Sequence, residues 1–196
     1  MKKALEHFKK TDKTLFEIAA KIKLTDLQKP ADYFIDLVDS IISQQLSGKA
    51  AATIFGRFKK LFRNELIAPQ QLLSLSDDTI RAAGISYSKI KYIKGIAEKV
   101  VKKELDLKKL EKLNDEEVIE ELIKIKGIGR WTAEMFLMFT LLREDVFSAG
   151  DLGLKNAIVK HYKLKKITNK KLLKISKKWS PHRTIASRIL WKSLEK

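Results

Sequence analysis

The chain has no cysteine and, in 196 residues, only three histidines, three prolines and eight glycines. Without cysteine there is no disulfide, no thiolate-held zinc and no iron–sulfur cluster. His7, His161 and His182 lie far apart in sequence, which argues against a histidine-built metal site. No apolar run is long enough to span a bilayer, and the N-terminus lacks a secretory apolar stretch. The expectation is a soluble, cytoplasmic protein with no membrane partner, near the nucleoid in a bacterium or nuclear in a eukaryote. Acids are also scarce: 24 Asp and Glu face 41 Lys and Arg, for a net charge of +17. Such an excess attracts polyanions, with nucleic acid foremost. Genomic base bias or a ribosome-associated role would also produce a lysine-rich chain.

Few prolines and no period-two alternation predict an all-α fold, as one compact domain or two small lobes. Residues 1–28 read as one or two helices. Asp32, after Pro30, opens a helix with Phe34, Leu37, Val38, Ile41 and Ile42 on one face. Ser47-Gly48 precedes a helix bearing Ile54, Phe55, Phe58, Leu61 and Phe62. Ser76-Asp77-Asp78 starts a short helix. Ser88 is expected to cap a helix to Val101, and Ser180-Pro181 to open the last one, ending near Leu194. Phe58, Phe62, Phe136 and Phe139 read as core.

Asn114-Asp115-Glu116-Glu117 has the form of a capped helix start. Val118, Ile119, Leu122, Ile123 and Ile125 recur at helical spacing up to Gly127. After Gly129 a second apolar helix carries Trp131, Met135, Phe136, Met138, Phe139 and Leu142. Two glycines two residues apart permit a positive φ and leave no side chain between backbone and partner. Free N–H groups at the restarting helix suit a phosphate, and Lys124, Lys126 and Arg130 surround them with positive charge. An ordinary glycine-capped helical hairpin would show the same Gly-x-Gly. Further on, Asp151 stands at the start of another helix, where the dipole favours its ionised form. Asp151 is a helix N-cap, a reactive acid, or both. Hairpin and acid together suggest a protein that holds a DNA backbone and does chemistry on a nucleotide.

The hairpin, its spacing to Asp151 and the upstream Ser43-Gln44-Gln45-Leu46-Ser47 resemble the helix-hairpin-helix (HhH-GPD) DNA glycosylase superfamily. Gly127-Ile128-Gly129-Arg130-Trp131-Thr132-Ala133 and Asp151-Leu152-Gly153-Leu154-Lys155, with Pro181-His182-Arg183 after them, are most similar to its DNA-3-methyladenine glycosylase II branch. The resemblance covers residues 30 to 194. The N-terminal β-rich domain of some members has no counterpart in this sequence.

The resemblance implies a two-lobed all-α fold with the active cleft between lobes 30–144 and 1–29 plus 145–196. It implies a monofunctional hydrolase of base excision repair that flips alkylated purines, of the 3-methyladenine and 7-methylguanine type, out of damaged double-stranded DNA. Asp151 would be the catalytic carboxylate. Trp131, Met135, Leu152 and His182 would line the base pocket. Relatives that also cut the strand carry a Schiff-base lysine at the position of Trp131. Gln45, with Gln44 beside it, would be the intercalating wedge; both could equally end a surface helix. Lys126, Gly127, Gly129, Arg130, Thr132, Lys155 and Lys89 would meet the DNA backbone, with Lys49, Lys91 and Arg183 as further phosphate candidates. No cofactor is required. A monovalent cation, Na+ or K+, would sit on the main-chain carbonyls of Ile123, Ile125 and Ile128. The family acts as monomers. The competing readings are a glycosylase for oxidised purine or uracil, and a non-catalytic helix-hairpin-helix DNA-binding protein.

Overall fold

A computed structural model describes residues 1–195, and among them it contains helices, turns and loops but no β-strand. In chain order the α-helices are α1 (Lys2–Thr11), α2 (Lys13–Ala19), α3 (Tyr33–Ser43), α4 (Gly48–Lys59), α5 (Pro69–Ser74) and α6 (Asp77–Ala82). Then follow α7 (Tyr87–Val101), α8 (Asp115–Ile123), α9 (Arg130–Met135), α10 (Leu152–His161), α11 (Asn169–Ser176) and α12 (Arg183–Lys192). The chain forms two compact units, Pro30–Phe136 and Met1–Lys29 with Leu137–Lys196.

In the unit Pro30–Phe136 the polar residues ahead of each apolar stretch set the helix starts. The Asp32 side chain accepts from Phe34 N–H, Ser47 from Ala50 N–H and Ser76 from Thr79 N–H. Asn114 and Glu117 form a complete capping box, each side chain accepting the other's backbone N–H, which satisfies two donors that a helix start otherwise leaves orphaned. The cap of α7 is Ser86 rather than Ser88: the Ser86 hydroxyl accepts from Lys89 N–H. The apolar faces so created, with Leu37, Val38, Ile41 and Ile42 of α3, Ile90, Ile93 and Ile96 of α7, and Val118 and Leu122 of α8, are all buried.

The other unit is built on Asp12, a buried carboxylate at the break between α1 and α2. Its Oδ1 accepts from Leu15 N–H at 3.1 Å. Its Oδ2 accepts from Tyr162 OH at 2.7 Å and Trp179 Nε1–H at 3.0 Å. Burial, and then the bond to Asp12, push the Tyr162 phenol far above the usual tyrosine range. Around this node Phe8, Leu15, Leu154, Ala157, Ile158, Trp179 and Ile189 form the core. Burying each of the larger side chains contributes about 2–3 kcal/mol.

Three further expectations require correction. The α-helix after Gly129 ends at Met135 and continues as a π-helical turn, Phe136–Thr140, closed by Leu142 at φ 56° and an Arg143 N–H bond to the Leu137 carbonyl. Residues 137–144 belong with the N- and C-terminal segments rather than with the central helices. The Thr184 hydroxyl donates to the Arg143 carbonyl at 2.6 Å, and Thr184 N–H donates to the Glu144 carbonyl at 3.0 Å. Finally, Ser180 does not cap the last helix. Its hydroxyl donates to Asp145 Oδ2 at 2.7 Å, and α12 begins three residues later. Asp145 also accepts from Arg183 Nε at 2.7 Å and from Arg183 N–H at 3.3 Å. Burial pushes its carboxyl up, but the bonds from Arg183 and Ser180 outweigh that and hold it below the usual range.

Replacing Asp12 by alanine strands two buried donors, on Tyr162 and Trp179. The loss is expected to be about 3 kcal/mol, lowering Tm by roughly 6–12 °C in a chain of this size. Thermal unfolding by circular dichroism reads this directly, and a shift below about 2 °C would show that Asp12 is not the node.

Candidate active site

Asp151 is the N-cap of α10, 9% exposed. Its Oδ1 accepts two hydrogen bonds, from Leu154 N–H at 2.7 Å and from Trp191 Nε1–H at 2.8 Å. The first is the ordinary capping bond of a helix start. The second comes from α12, forty residues away in sequence. Gly153 leaves room for the indole: a Cβ there would lie tightly, 3.1 Å from Asp151 Oδ1 and 3.2 Å from Trp191 Nε1. A glycine inside a helix costs up to about 1 kcal/mol relative to alanine, so close packing of acid and indole accounts for its presence. Phe139, from the π-helical turn, lies tilted against the Trp191 ring with centroids 6.0 Å apart. Phe139 is thus partly exposed and not core, unlike Phe58, Phe62 and Phe136.

The hairpin between α8 and α9 is a second constructed element. Gly127 has φ +95°, and a Cβ there would fall 2.4 Å from the Tyr92 ring of α7. Only glycine fits that backbone and that space. Gly129, the N-cap of α9, has open space where its Cβ would be. Gln44 spans from the end of α3 to the hairpin, its Nε2 donating to the Gly127 carbonyl at 3.1 Å and to Thr132 Oγ1 at 3.2 Å. Lys89 anchors the same loop, its ammonium donating to the carbonyls of Ile42 at 2.8 Å and Gln44 at 2.7 Å. Burial holds that ammonium below the usual lysine range. Gln45 is left exposed at φ 60°, a left-handed conformation that costs a residue with a Cβ about 1 kcal/mol or more.

Residues 38–182 match the family described as "HhH-GPD superfamily base excision DNA repair protein". The chain belongs to the HhH-GPD superfamily. It is 42% identical to "DNA-3-methyladenine glycosylase 1" of Schizosaccharomyces pombe over 161 residues, covering 81% of this chain and 71% of that protein. It is 34% identical to "DNA-3-methyladenine glycosylase" of Saccharomyces cerevisiae, covering 96% of this chain and 78% of that one. Among solved structures it is similar to the Schizosaccharomyces pombe 3-methyladenine DNA glycosylase in complex with abasic DNA. There the TM-score is 0.87 at 35% identity, over 99% of this chain and 100% of that one.

Against this HhH-GPD frame the site residues sort by what they touch. Trp131 and Met135 lie four residues apart on α9, hence on one face, with Trp131 45% exposed. Leu152 is 67% exposed beside Asp151. Lys126 and Lys155 have no ion-pair or hydrogen-bond partner for their ammonium groups among the described residues. Four candidates for DNA contact also have internal partners. Gln44 and Thr132 bond to each other. Lys89 closes the C-terminal carbonyls of α3. Arg130 is gripped by Glu116 at 2.7 and 2.9 Å and by Glu134 at 3.1 Å. The Glu116 bonds raise the arginine's pKa still further, and two carboxylates neutralise its charge. His182, expected in the pocket, is the N-cap of α12 and packs edge-on against His7 and Phe8 of α1. It sits about 13 Å along α12 from Trp191, at a helical rise of about 1.5 Å per residue.

Trp191 and Phe139 were not anticipated. The only sequence signal for them was Gly153, a glycine in a helical first turn with no turn to explain it.

The two hairpin glycines should separate in experiment. Gly127→Ala adds backbone strain and a clash with Tyr92, and is expected to lower Tm by roughly 3–8 °C. Gly129→Ala meets no atom of the protein, so Tm should hold within about 2 °C while affinity for duplex DNA falls. Equal thermal shifts, or undiminished affinity in Gly129→Ala, would contradict this division.

Proposed function

We propose that the chain is a monofunctional DNA glycosylase that releases alkylated purines, of the 3-methyladenine and 7-methylguanine type, from damaged double-stranded DNA and leaves an abasic site. The observation that carries this is Asp151: one acid, held by the first turn of α10 and by an indole, in a chain resembling 3-methyladenine glycosylases along nearly its whole length. The curated relatives are named as 3-methyladenine or alkylated-base glycosylases, which favours this reading over oxidised purine, uracil or a non-catalytic role.

The chemistry asks little of the protein beyond that acid. Alkylation at purine N3 or N7 makes the base cationic, already a good leaving group. As the N-glycosidic bond breaks, positive charge develops on the sugar. A fixed carboxylate stabilises it electrostatically and orients or deprotonates the attacking water. The base leaves with the electron pair of the broken bond, and water adds at the sugar carbon. Trp191 and Leu154 N–H hold the carboxylate so that little reorganisation is needed. Trp131 cannot form a Schiff base, so no strand cutting follows; its exposed ring would stack on an electron-poor base. Met135, on the same face of α9, and Leu152, beside Asp151, remain candidate base contacts.

Gln45 would fill the gap in the base stack once the nucleotide is flipped out. Its exposure and left-handed backbone support this, whereas Gln44 braces the hairpin behind it. The hairpin would hold the DNA backbone through Gly127, Ile128 and Gly129, with Lys126 and Lys155 adding charge. The carbonyls of Ile123, Ile125 and Ile128 are hard oxygen donors at a bend, and the Ile125 oxygen keeps a lone pair after accepting Ile128 N–H. They would hold a Na+ or K+ ion, which would supply positive charge at the phosphate. We expect the protein to act as a monomer.

Base release from methylated duplex DNA tests the proposal. Wild type should free 3-methyladenine or 7-methylguanine and leave the strand uncut. Asp151→Asn should lose a factor of about 100 or more in single-turnover rate while still binding abasic DNA. No release by wild type, or full activity in Asp151→Asn, would refute it. In the same assay Gln45→Ala should slow excision from paired duplex more than from mispaired or single-stranded substrate, and an equal loss on all three would remove the wedge role.

A further inference from the structure

The positive charge of this chain is not evenly spread. No Asp or Glu occurs from residue 152 to residue 194, and nine lysines fall between Lys160 and Lys178. All nine are exposed, and none of their ammonium groups has an ion-pair or hydrogen-bond partner among the described residues. Elsewhere lysines find carboxylates, as Lys94 does with Asp77 and Lys124 with Glu121. The His7 ring bonds to the Lys178 carbonyl at 2.9 Å, fastening α1 to this stretch. That brings Lys3 and Lys10, which share a helical face with His7, to its border. The neighbouring acid on α1 is Glu6.

This face is separate from the acid. Lys160 lies at the far end of α10 from Asp151, about 13 Å away at the helical rise. The N-terminus of α12, which follows Lys178, is likewise the end remote from Trp191. Unpaired like charges repel one another, so a surface of this kind is stabilised by a polyanion and by the counterions that polyanion releases. A bilayer fits less well. The apolar side of α11 (Leu172 and Ile175) is buried in the core, and only Leu173 is exposed among the lysines, too little for an interfacial anchor.

We infer that the lysine face between Lys160 and Lys178 is an auxiliary, sequence-independent binding surface for the phosphate backbone of duplex DNA, acting apart from Asp151. It would hold undamaged duplex and keep the protein on DNA between encounters with its site. The inference does not depend on Asp151 being catalytic.

The test is binding of undamaged duplex by wild type and by the fivefold variant K165Q/K166Q/K170Q/K171Q/K174Q, titrated by anisotropy between about 50 and 200 mM salt. These exposed side chains have no partners to lose, and circular dichroism verifies the fold. A threefold variant, K165Q/K170Q/K174Q, serves if the fivefold one does not fold. The slope of log affinity against log salt should become shallower by about 2–4, since each phosphate contact contributes about 0.9. Single-turnover excision at saturating protein should stay within about twofold. An unchanged slope overturns the inference. So does an unchanged slope with lost binding to phosphatidylserine vesicles, which would assign the face to a membrane. A fall in excision matching the fall in affinity would place the lysines in the catalytic site and also overturn it.

Discussion

Everything else in the site is arranged around one carboxylate oxygen. Asp151 Oδ1 receives a backbone N–H from its own helix and an indole N–H from α12. The first comes with any Asp N-cap; the second lies beside Gly153, where a methyl group would press on both acid and indole at 3.1–3.2 Å. Two donors fix the plane of the carboxyl group before substrate arrives. A carboxylate stabilises developing charge most when its surroundings need not reorganise during the reaction. On the proposed reading, this is why a single acid would suffice for a leaving group that is already cationic.

The central unit shows the same logic with neutral and charged partners exchanged. A glutamine, a lysine and an arginine, residue types that suggest DNA contact in a basic chain, all have partners inside the fold. Gln44 and Lys89 brace the loop that exposes Gln45, while Arg130 ties α8 to α9 through two carboxylates. The rigidity so gained lets Gln45 keep a left-handed backbone and Gly127 a conformation closed off by Tyr92. On the proposed reading, charge for the nucleic acid would come from the lysines without partners, Lys126 and Lys155 among them.

Local signals were legible where a short-range hydrogen bond decides the structure. Asn114 with Glu117, Asp32, Ser47, Ser76 and Asp151 all cap the helices that follow them. The choice between Ser86 and Ser88 was not, because both can cap and the preceding turn decides. The π-helical turn at Phe136–Thr140 hides in a sequence whose apolar spacing suits an α-helix equally well. Long-range partners were invisible for a plainer reason. The pairings of Trp191 with Asp151, Asp145 with Ser180 and Arg183, and Gln44 with Gly127 span from 35 to 83 residues. Periodicity reports one helix at a time, so it cannot show which helices meet. Hence the internal partners of Arg130 and Lys89, and the packing of His182 on α1, were not legible.

The most direct test of the account is the single-turnover excision rate of Trp191→Phe, which keeps a ring for Phe139 and removes only the indole N–H, beside that of Gly153→Ala. Both are predicted to lose about 10-fold or more in rate, the effect of one misdirected donor, with affinity for abasic duplex within about twofold of wild type. Undiminished rates in both variants would show that the indole merely packs against Asp151, and that fixing this carboxylate is not what the site is built to do.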